Sequence, residues 1–271
     1  MDKGSSMLLG TLWDRVVAVL AADNFREIAS GFDRRSLILR ANACGGPPMR
    51  LLHWRRLAEL GRLPHSNEGE AVDALVGIDH FGAPAVEVFM VSHRWLRPSL
   101  DRRLSHPDDS AGEKARALCE FSLWRRAWVR HKHGFLPELY YWIDYSCIDQ
   151  ARAEEAIPLL PLWVACCERF LRLETPDYDE RTWCRLEPLL SYVFSFADHH
   201  LSIGLDYRCR WPHRGTSRPR TILDPRTGKN TDPEDTRRIE PLVELAVQLR
   251  PANPSRIPVD PERTAVKCFI L

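Results

Sequence analysis

The sequence predicts an α/β domain in which helices flank a parallel β-sheet. Short, β-rich apolar runs alternate with amphipathic helical stretches between residues 86 and 205, which is typical of successive strand-helix-strand units. Several of these runs are rich in aromatic and β-branched residues, as buried strands are. The chain has 271 residues, of which 44% are hydrophobic and 28% are charged, so it can bury the core that such a domain needs.

The same patterns divide the chain into three parts. Residues 1–80 are predicted to be a helical N-terminal segment, because apolar residues recur at helical spacing over 7–31 and again over 49–60. The α/β domain is predicted to span residues 84–250. Residues 251–271 are rich in proline, and we expect an extended C-terminal tail there.

Within the domain, four strands and four helices are expected in alternation. The predicted strands cover residues 86–91, 139–144, 170–173 and 201–205, and the predicted helices cover 113–131, 154–168, 179–196 and 235–249. Pro158 and Pro161 must lie in the first turns of the second helix or split it. Residues 210–236 are predicted to form a long loop. Ligands of such sheets bind beyond the carboxyl ends of the strands, so the polar residues found there are candidate site residues.

Composition argues against several classes of function. Lys and Arg total 38 against 37 Asp and Glu, and a net charge of +1 gives no electrostatic support for a nucleic-acid partner. The eight cysteines show neither a CxxC pair nor zinc-ligand spacing, and no secretory leader precedes them. No window approaches the roughly 18 apolar residues that span a bilayer. We therefore expect a cytoplasmic protein with reduced cysteines and no bound metal.

Three short segments carry the candidate chemistry. They are Val88-Phe89-Met90-Val91-Ser92-His93-Arg94, Tyr141-Trp142-Ile143-Asp144-Tyr145 and Trp183-Cys184-Arg185-Leu186-Glu187. Their order and wording resemble the TIR (Toll/interleukin-1 receptor) domain family over residues 86–195. In that family the first strand ends in a Phe-x-Ser-x-Arg-like turn and the second in Ile-Asp or Phe-Asp. A later helix carries Ser-x-Trp-Cys-x-x-Glu.

The resemblance implies both a fold and an activity. The implied fold is the flavodoxin-like, TIR-like parallel sheet flanked by helices. In the TIR domains that cleave NAD, the Glu of the third motif is catalytic, which implies Glu187 as the catalytic residue. NAD or a related nucleotide is then the substrate, and no cofactor is implied. The resemblance also implies self-association and a role in stress, immunity or effector signalling.

The implied reaction requires a single carboxylate. The nicotinamide of NAD is a cationic pyridinium that leaves as a neutral molecule, so no general acid is needed and an oxocarbenium-like ribosyl group remains. A carboxylate beside the ribose stabilises that developing charge. We expect Glu187 to have a pKa that is raised by burial next to Trp183 and held in check by Arg181 or Arg94.

The other candidate residues are expected to bind the substrate. Ser92 and Arg94 leave the first strand and would orient the ribose and phosphates, while Trp183 would wall the pocket. His93 is also a candidate, although a structural role fits it better. It cannot pair with Ser92, because adjacent strand residues point to opposite faces. For Asp144, capping the following turn is the main alternative to substrate binding.

The last four residues, Cys268-Phe269-Ile270-Leu271, match a prenylation pattern. The alternative interpretation is a chance match or a buried apolar C-terminus. Membrane attachment is expected only if Cys268 carries a lipid.

Two other functions remain open at this point. One is a non-catalytic signalling or scaffold module that keeps a TIR-like fold and binds partners through its surface. The other is an enzyme similar to the nucleoside ribosyl- or deoxyribosyltransferases, which use a related sheet and an acidic nucleophile. Release of free base from nucleosides, with NAD left intact, would distinguish this enzyme.

Overall fold

The computed structural model of the protein describes residues 3–30, 33–79, 85–99, 105–195, 200–205 and 222–249. The predicted tail over 251–271, with Cys268, lies outside these residues, as do residues 210–221 of the predicted loop over 210–236.

The described part of the chain contains six strands and eleven α-helices, with short 3₁₀ turns between them. The strands are β1 (Arg50–His53), β2 (Val72–Asp73), β3 (Val86–His93), β4 (Glu138–Trp142), β5 (Arg169–Glu174) and β6 (His200–Gly204). The helices are α1 (Lys3–Ala21), α2 (Phe25–Ser30), α3 (Arg34–Ala43), α4 (Trp54–Leu60), α5 (Ala74–Ile78), α6 (Glu113–His133), α7 (Asp144–Cys147), α8 (Ala153–Ala156), α9 (Leu160–Cys166), α10 (Thr182–Leu190) and α11 (Asp235–Leu249).

The six strands form one mixed sheet in the order β2-β1-β4-β3-β5-β6. Strands β4, β3, β5 and β6 are parallel, and β1 pairs antiparallel with β4 and with β2. Among the parallel strands, β3 comes first in the chain and lies between the second and the third, which is the strand order of flavodoxin-like sheets. The predicted α/β class, with helices flanking a largely parallel sheet, is confirmed. The connections diverge between β3 and β5, where such folds bind ligands.

The N-terminal segment differs from the prediction of a helical 1–80. Residues 49–60, predicted as one helix, contain β1 followed directly by α4. Leu51 and Leu52 are both fully buried and belong to the cores on opposite faces of the sheet, as neighbours in a strand do. A strand of four residues is too short to show alternation, and its apolar residues fit helical spacing equally well. The N-terminal segment therefore extends the sheet by two strands.

The two faces of the sheet carry different helices. Val88, Met90 and Phe170 pack in one core with α1, α3, α9, α10 and α11. Phe89 and Val91 pack in the other core with α4 and α6. Because side chains alternate along β3, its last two residues approach different helices. Ser92 lies on the α10 side and His93 on the α6 side.

Prolines explain two departures from regular helix. Pro158 and Pro161 split the predicted helix over 154–168 into α8, a 3₁₀ turn and α9. Pro188 lies inside α10 and supplies no N–H to the helical ladder, and α10 continues into a π-helical turn at Ser191–Ser195. In the part of the chain that the structure covers, no helix has the length and apolar character needed to cross a membrane.

Candidate active site

A cavity of about 290 Å³ opens beyond the carboxyl ends of β3 and β4. Five of the six predicted site residues near the sheet line it: His93, Arg94, Asp144, Trp183 and Glu187. They come from the turns after β3 and β4 and from α10, and a further wall comes from residues 229–238. The sheet-edge rule and the third motif therefore converge on one concave site.

Glu187 is held by a short chain of hydroxyl groups. Ser92 Oγ donates a hydrogen bond to Glu187 Oε2, and Ser92 Oγ is also hydrogen bonded to the Tyr178 hydroxyl. With Glu187 ionised, Ser92 donates to the carboxylate and Tyr178 donates to Ser92. Ser92 and Tyr178 are both fully buried and neither lines the cavity. Ser92 therefore positions Glu187, and a direct contact between Ser92 and substrate stays a prediction.

The environment of Glu187 favours its protonated form. Burial raises the pKa of Glu187 to about 8; the negative charge of Asp144 adds to this, while the hydrogen bond from Ser92 opposes it. The predicted direction is right, but the restraint comes from a hydroxyl and not from an arginine. A proton thus stays on this carboxyl at neutral pH until a positive charge approaches it.

His93 and Asp144 form a second cluster on the other side of the sheet edge. His93 Nε2 lies 3.0 Å from Asp144 Oδ1, and His93 Nδ1 lies 3.1 Å from Lys114 Nζ. An ammonium group can only donate, so Nδ1 accepts from Lys114 and the Nε2–H group donates to Asp144. Both ring nitrogens are therefore engaged, which supports a structural role for His93 over a direct contact with substrate.

Asp144 is the charged member of that cluster. Its Oδ2 accepts a hydrogen bond of 2.9 Å from the Trp95 indole, and its Oδ1 accepts one of 2.6 Å from the Tyr145 backbone N–H at the start of α7. Burial opposes ionisation, but the contacts with His93 and Trp95 together lower the pKa of Asp144 below its ordinary value. Asp144 thus braces the start of α7, as the alternative interpretation expects, and also places a negative charge at the cavity.

The cationic side chains of the cavity differ in how far they are neutralised. Arg94 forms a 2.9 Å ion pair with Asp177, and Lys229 forms one of 2.8 Å with Glu180. Arg238 pairs with three carboxylates, those of Glu154, Asp232 and Asp235. Arg181 lines the cavity without a carboxylate partner among the residues that the structure describes. Among the described residues, no carboxylate therefore competes through an ion pair for an anion that approaches Arg181.

Trp183 is the aromatic side chain that α10 contributes to the cavity. It is partly exposed, lines the cavity and packs with its other side against the core beneath α10. Cys184, the next residue, is buried, and burial raises the pKa of its thiol well above the ordinary value. This thiol is therefore a packing group at neutral pH.

Sequence reasoning missed Tyr178, Lys114 and the cavity wall formed by residues 229–238. Tyr178 follows β5 and could have been found by the same sheet-edge rule that identifies Ser92. Lys114 carries no signal, because a lysine in the first turn of a helix is ordinarily solvent-exposed. Within the described ranges, no group of three or more His, Cys, Asp or Glu residues is arranged to hold a metal ion.

Comparisons of the chain with protein-family models, with curated proteins and with solved structures found no match. The fold and the site define the class by themselves. It is an α/β protein with a mixed sheet whose parallel strands have the flavodoxin-like order, and the cavity beyond β3 and β4 contains a carboxyl group, Glu187, whose pKa is raised by burial.

Proposed function

We propose that the protein is a TIR-like NAD glycohydrolase, which cleaves the nicotinamide–ribose bond and acts in stress, immunity or effector signalling. The observation that carries the proposal is the carboxyl of Glu187, which lines the sheet-edge cavity and is held there by Ser92. The substrate is NAD, and the proposed chemistry uses no cofactor.

The charge of the substrate suits this carboxyl. A pyridinium cation lowers the pKa of a neighbouring acid, so its arrival would ionise Glu187 where the empty site keeps it protonated. Trp183 offers an aromatic face to the same cation. Asp144 adds a second negative charge to the same cavity. Together these groups favour a cationic leaving group over a neutral one.

In the proposed reaction, the bond between C1′ of the ribose and the pyridinium nitrogen breaks. The bonding pair leaves with nicotinamide, which becomes neutral, and C1′ becomes oxocarbenium-like. Glu187 stabilises that positive charge from its position in the cavity. Water, or a nucleophile within the same nucleotide, then bonds to C1′ and gives up a proton to Glu187 or to solvent.

We expect the positive charges of the cavity to decide where the phosphates of NAD bind. Arg94 was the sequence-based candidate, but its guanidinium is already paired with Asp177. Arg181 lines the same cavity and keeps its charge unneutralised within the described structure. We therefore assign the main phosphate contact to Arg181, with Arg94 as a secondary one.

The test is nicotinamide release from NAD by wild type, Glu187→Gln and Glu120→Gln. Glu120 is an exposed glutamate of α6 outside the cavity, so Glu120→Gln is the matched control. The protein is assayed at high concentration, because the resemblance implies self-association. We expect Glu187→Gln to lose about 100-fold or more of the activity, the range seen when a group that stabilises transition-state charge is removed. Glu120→Gln should retain full activity.

Three outcomes would redirect the proposal. An inactive wild type that still binds protein partners would support the signalling or scaffold module. Release of base from nucleosides, with NAD untouched, would support a ribosyl- or deoxyribosyltransferase-like enzyme. Equal activity of wild type and Glu187→Gln would remove Glu187 from the mechanism.

We also propose a cytoplasmic location, with membrane attachment only through a lipid on Cys268. Mass spectrometry of the protein made in a eukaryotic host tests this attachment. A prenylated Cys268 would support it, and an unmodified Cys268 would remove it.

A further inference from the structure

Lys114 is a fully buried lysine in the first turn of α6. Lysines are almost never fully buried unless their ammonium group is paired. Here Nζ donates to the carbonyl oxygen of Arg94, to the carbonyl oxygen of Pro107 at 2.5 Å, and to His93 Nδ1 at 3.1 Å. All three partners are acceptors, so the ammonium uses each of its three N–H groups.

Two of those acceptors lie at the ends of one loop, whose described residues are 94–99 and 105–107. The arms of this loop lie side by side: Arg97 and His106 exchange backbone hydrogen bonds of 3.1 and 3.0 Å, and Leu96 N–H donates to Pro107 at 3.1 Å. Four residues of the loop line the cavity: Arg94, Trp95, Pro98 and Ser105. The ammonium of Lys114 therefore ties together both ends of a loop that forms one cavity wall.

The third hydrogen bond of Lys114, to His93, connects Lys114 to the same loop through two further side chains. By occupying His93 Nδ1, Lys114 fixes the His93 tautomer whose Nε2–H donates to Asp144. The other oxygen of Asp144 accepts from the Trp95 indole. The chain Lys114–His93–Asp144–Trp95 thus closes on the second residue of the loop. Two separate hydrogen-bonded routes connect one ammonium group to this wall.

We infer that Lys114 is a positioning residue that holds the described residues of this loop, 94–99 and 105–107, against the cavity and thereby sets the affinity for substrate. The part of this inference that concerns substrate rests on the proposed NAD glycohydrolase. The part that concerns the loop does not, since it follows from contacts within the chain. Lys114 touches no substrate and does not line the cavity.

The protonation state of Lys114 controls how many hydrogen bonds it can donate to hold the loop against the cavity. A neutral amine has two N–H groups and a lone pair, so one of its three acceptors must lose its donor. Burial lowers the pKa of Lys114 to about 8, although nearby carboxylates oppose the change. The charged and titratable groups around Nζ come from β3 and its turn, the loop, α7 and α10: His93, Arg94, Asp108, Asp144 and Cys184. The loop should therefore loosen as the pH rises through this range.

The first experiment measures amide hydrogen exchange over residues 94–99 and 105–108 without any ligand. Lys114→Met keeps the side-chain stem and removes the ammonium. Lys132→Met, at the exposed end of the same helix, is the matched control. We expect exchange in Lys114→Met to be at least about tenfold faster at these amides, because the loop loses charged hydrogen bonds at both ends. Lys132→Met should match wild type. Unchanged exchange in Lys114→Met would overturn the inference.

The second experiment separates positioning from a general loss of structure, using NAD as the substrate. None of the described loop residues is hydrogen bonded to Glu187, so loosening of the loop should remove binding made equally in ground and transition states. We expect KM for NAD to rise about tenfold in Lys114→Met while kcat stays within about twofold of wild type. A fall in kcat with KM unchanged would contradict the positioning role.

A third measurement tests the inference even if Lys114→Met does not fold. Hydrogen exchange of the same loop amides is followed from pH 7 to 9.5 and corrected for the intrinsic effect of pH. The protein used is Glu187→Gln, because the pKa of Glu187 is also raised to about 8 and its titration would overlap that of Lys114. Faster loop exchange with a midpoint near pH 8 supports the inference, and a flat profile overturns it. If wild type leaves NAD intact, the proposed function fails, and the exchange results still decide the role of Lys114.

Discussion

Replacing Glu187 with glutamine should change how the stability of the protein depends on pH. The pKa of Glu187 is about 8 in the folded protein, against an ordinary value of 4.5. Between these values the folded state holds a proton that the unfolded chain releases, so the free energy of unfolding falls as the pH rises. The stabilising contribution is complete below pH 4.5 and is lost as the pH rises towards 8.

The size of the effect follows from the linkage relation. Each pH unit inside that window changes stability by up to about 1.4 kcal/mol for one proton. Between pH 5 and pH 7, wild type should lose about 2 to 3 kcal/mol relative to Glu187→Gln, whose side chain is neutral at both values. Urea denaturation of both proteins at each pH measures this difference, and every other titrating group cancels. A difference that does not change with pH would show that Glu187 is already ionised in the folded protein, and would refute the account of its environment.

Three further predictions follow from the same site. In wild type, kcat/KM for NAD should rise with pH up to about 8, while kcat should depend less on pH, because bound pyridinium ionises Glu187; parallel profiles would contradict this. Ser92→Ala removes a hydrogen-bond donor that lowers the pKa of Glu187. The pH profile of kcat/KM should therefore move to higher pH, and activity at pH 7 should fall about 10- to 100-fold. An unchanged pH profile would contradict the role of Ser92. Gly228→Ala should destabilise the protein by about 1 to 3 kcal/mol in urea denaturation, because the new Cβ would lie 2.6 Å from the backbone nitrogen of Thr182 at the start of α10. Gly10→Ala, where nothing lies within 4 Å, is its control and should be neutral or slightly stabilising, and equal effects at the two glycines would contradict the packing at Gly228.

The parallel part of the fold could be predicted from the sequence because each of its strands is a short, apolar, β-rich run. The predicted strands over 86–91, 139–144, 170–173 and 201–205 all occur, with ends that move by two residues at most. The antiparallel strands β1 and β2 could not be found in this way. They have four and two residues, and pairing partners distant in sequence decide their conformation in place of any local pattern.

The candidate site was predictable where a residue type and a position coincide. The resemblance of the third motif implies Glu187 and Trp183 as site residues, and both line the cavity. The role of Ser92 was not predictable, since nothing in the sequence says that Tyr178 and Glu187 would enclose its hydroxyl. The role of Lys114 was not predictable either. Two of its acceptors are backbone carbonyl groups, which every residue carries, so the sequence gives no sign of these hydrogen bonds.

The most direct measurement of the central claim is the titration of the Glu187 carboxyl by ¹³C NMR, with Glu187→Gln used to assign its signal. It is carried out with and without carba-NAD, an uncleavable analogue in which a methylene group replaces the ribose ring oxygen and the pyridinium charge is kept. We expect a midpoint near pH 8 in the free protein and a midpoint lower by about one pH unit or more in the complex. A midpoint that stays in place or rises when carba-NAD binds would show that Glu187 does not face the pyridinium.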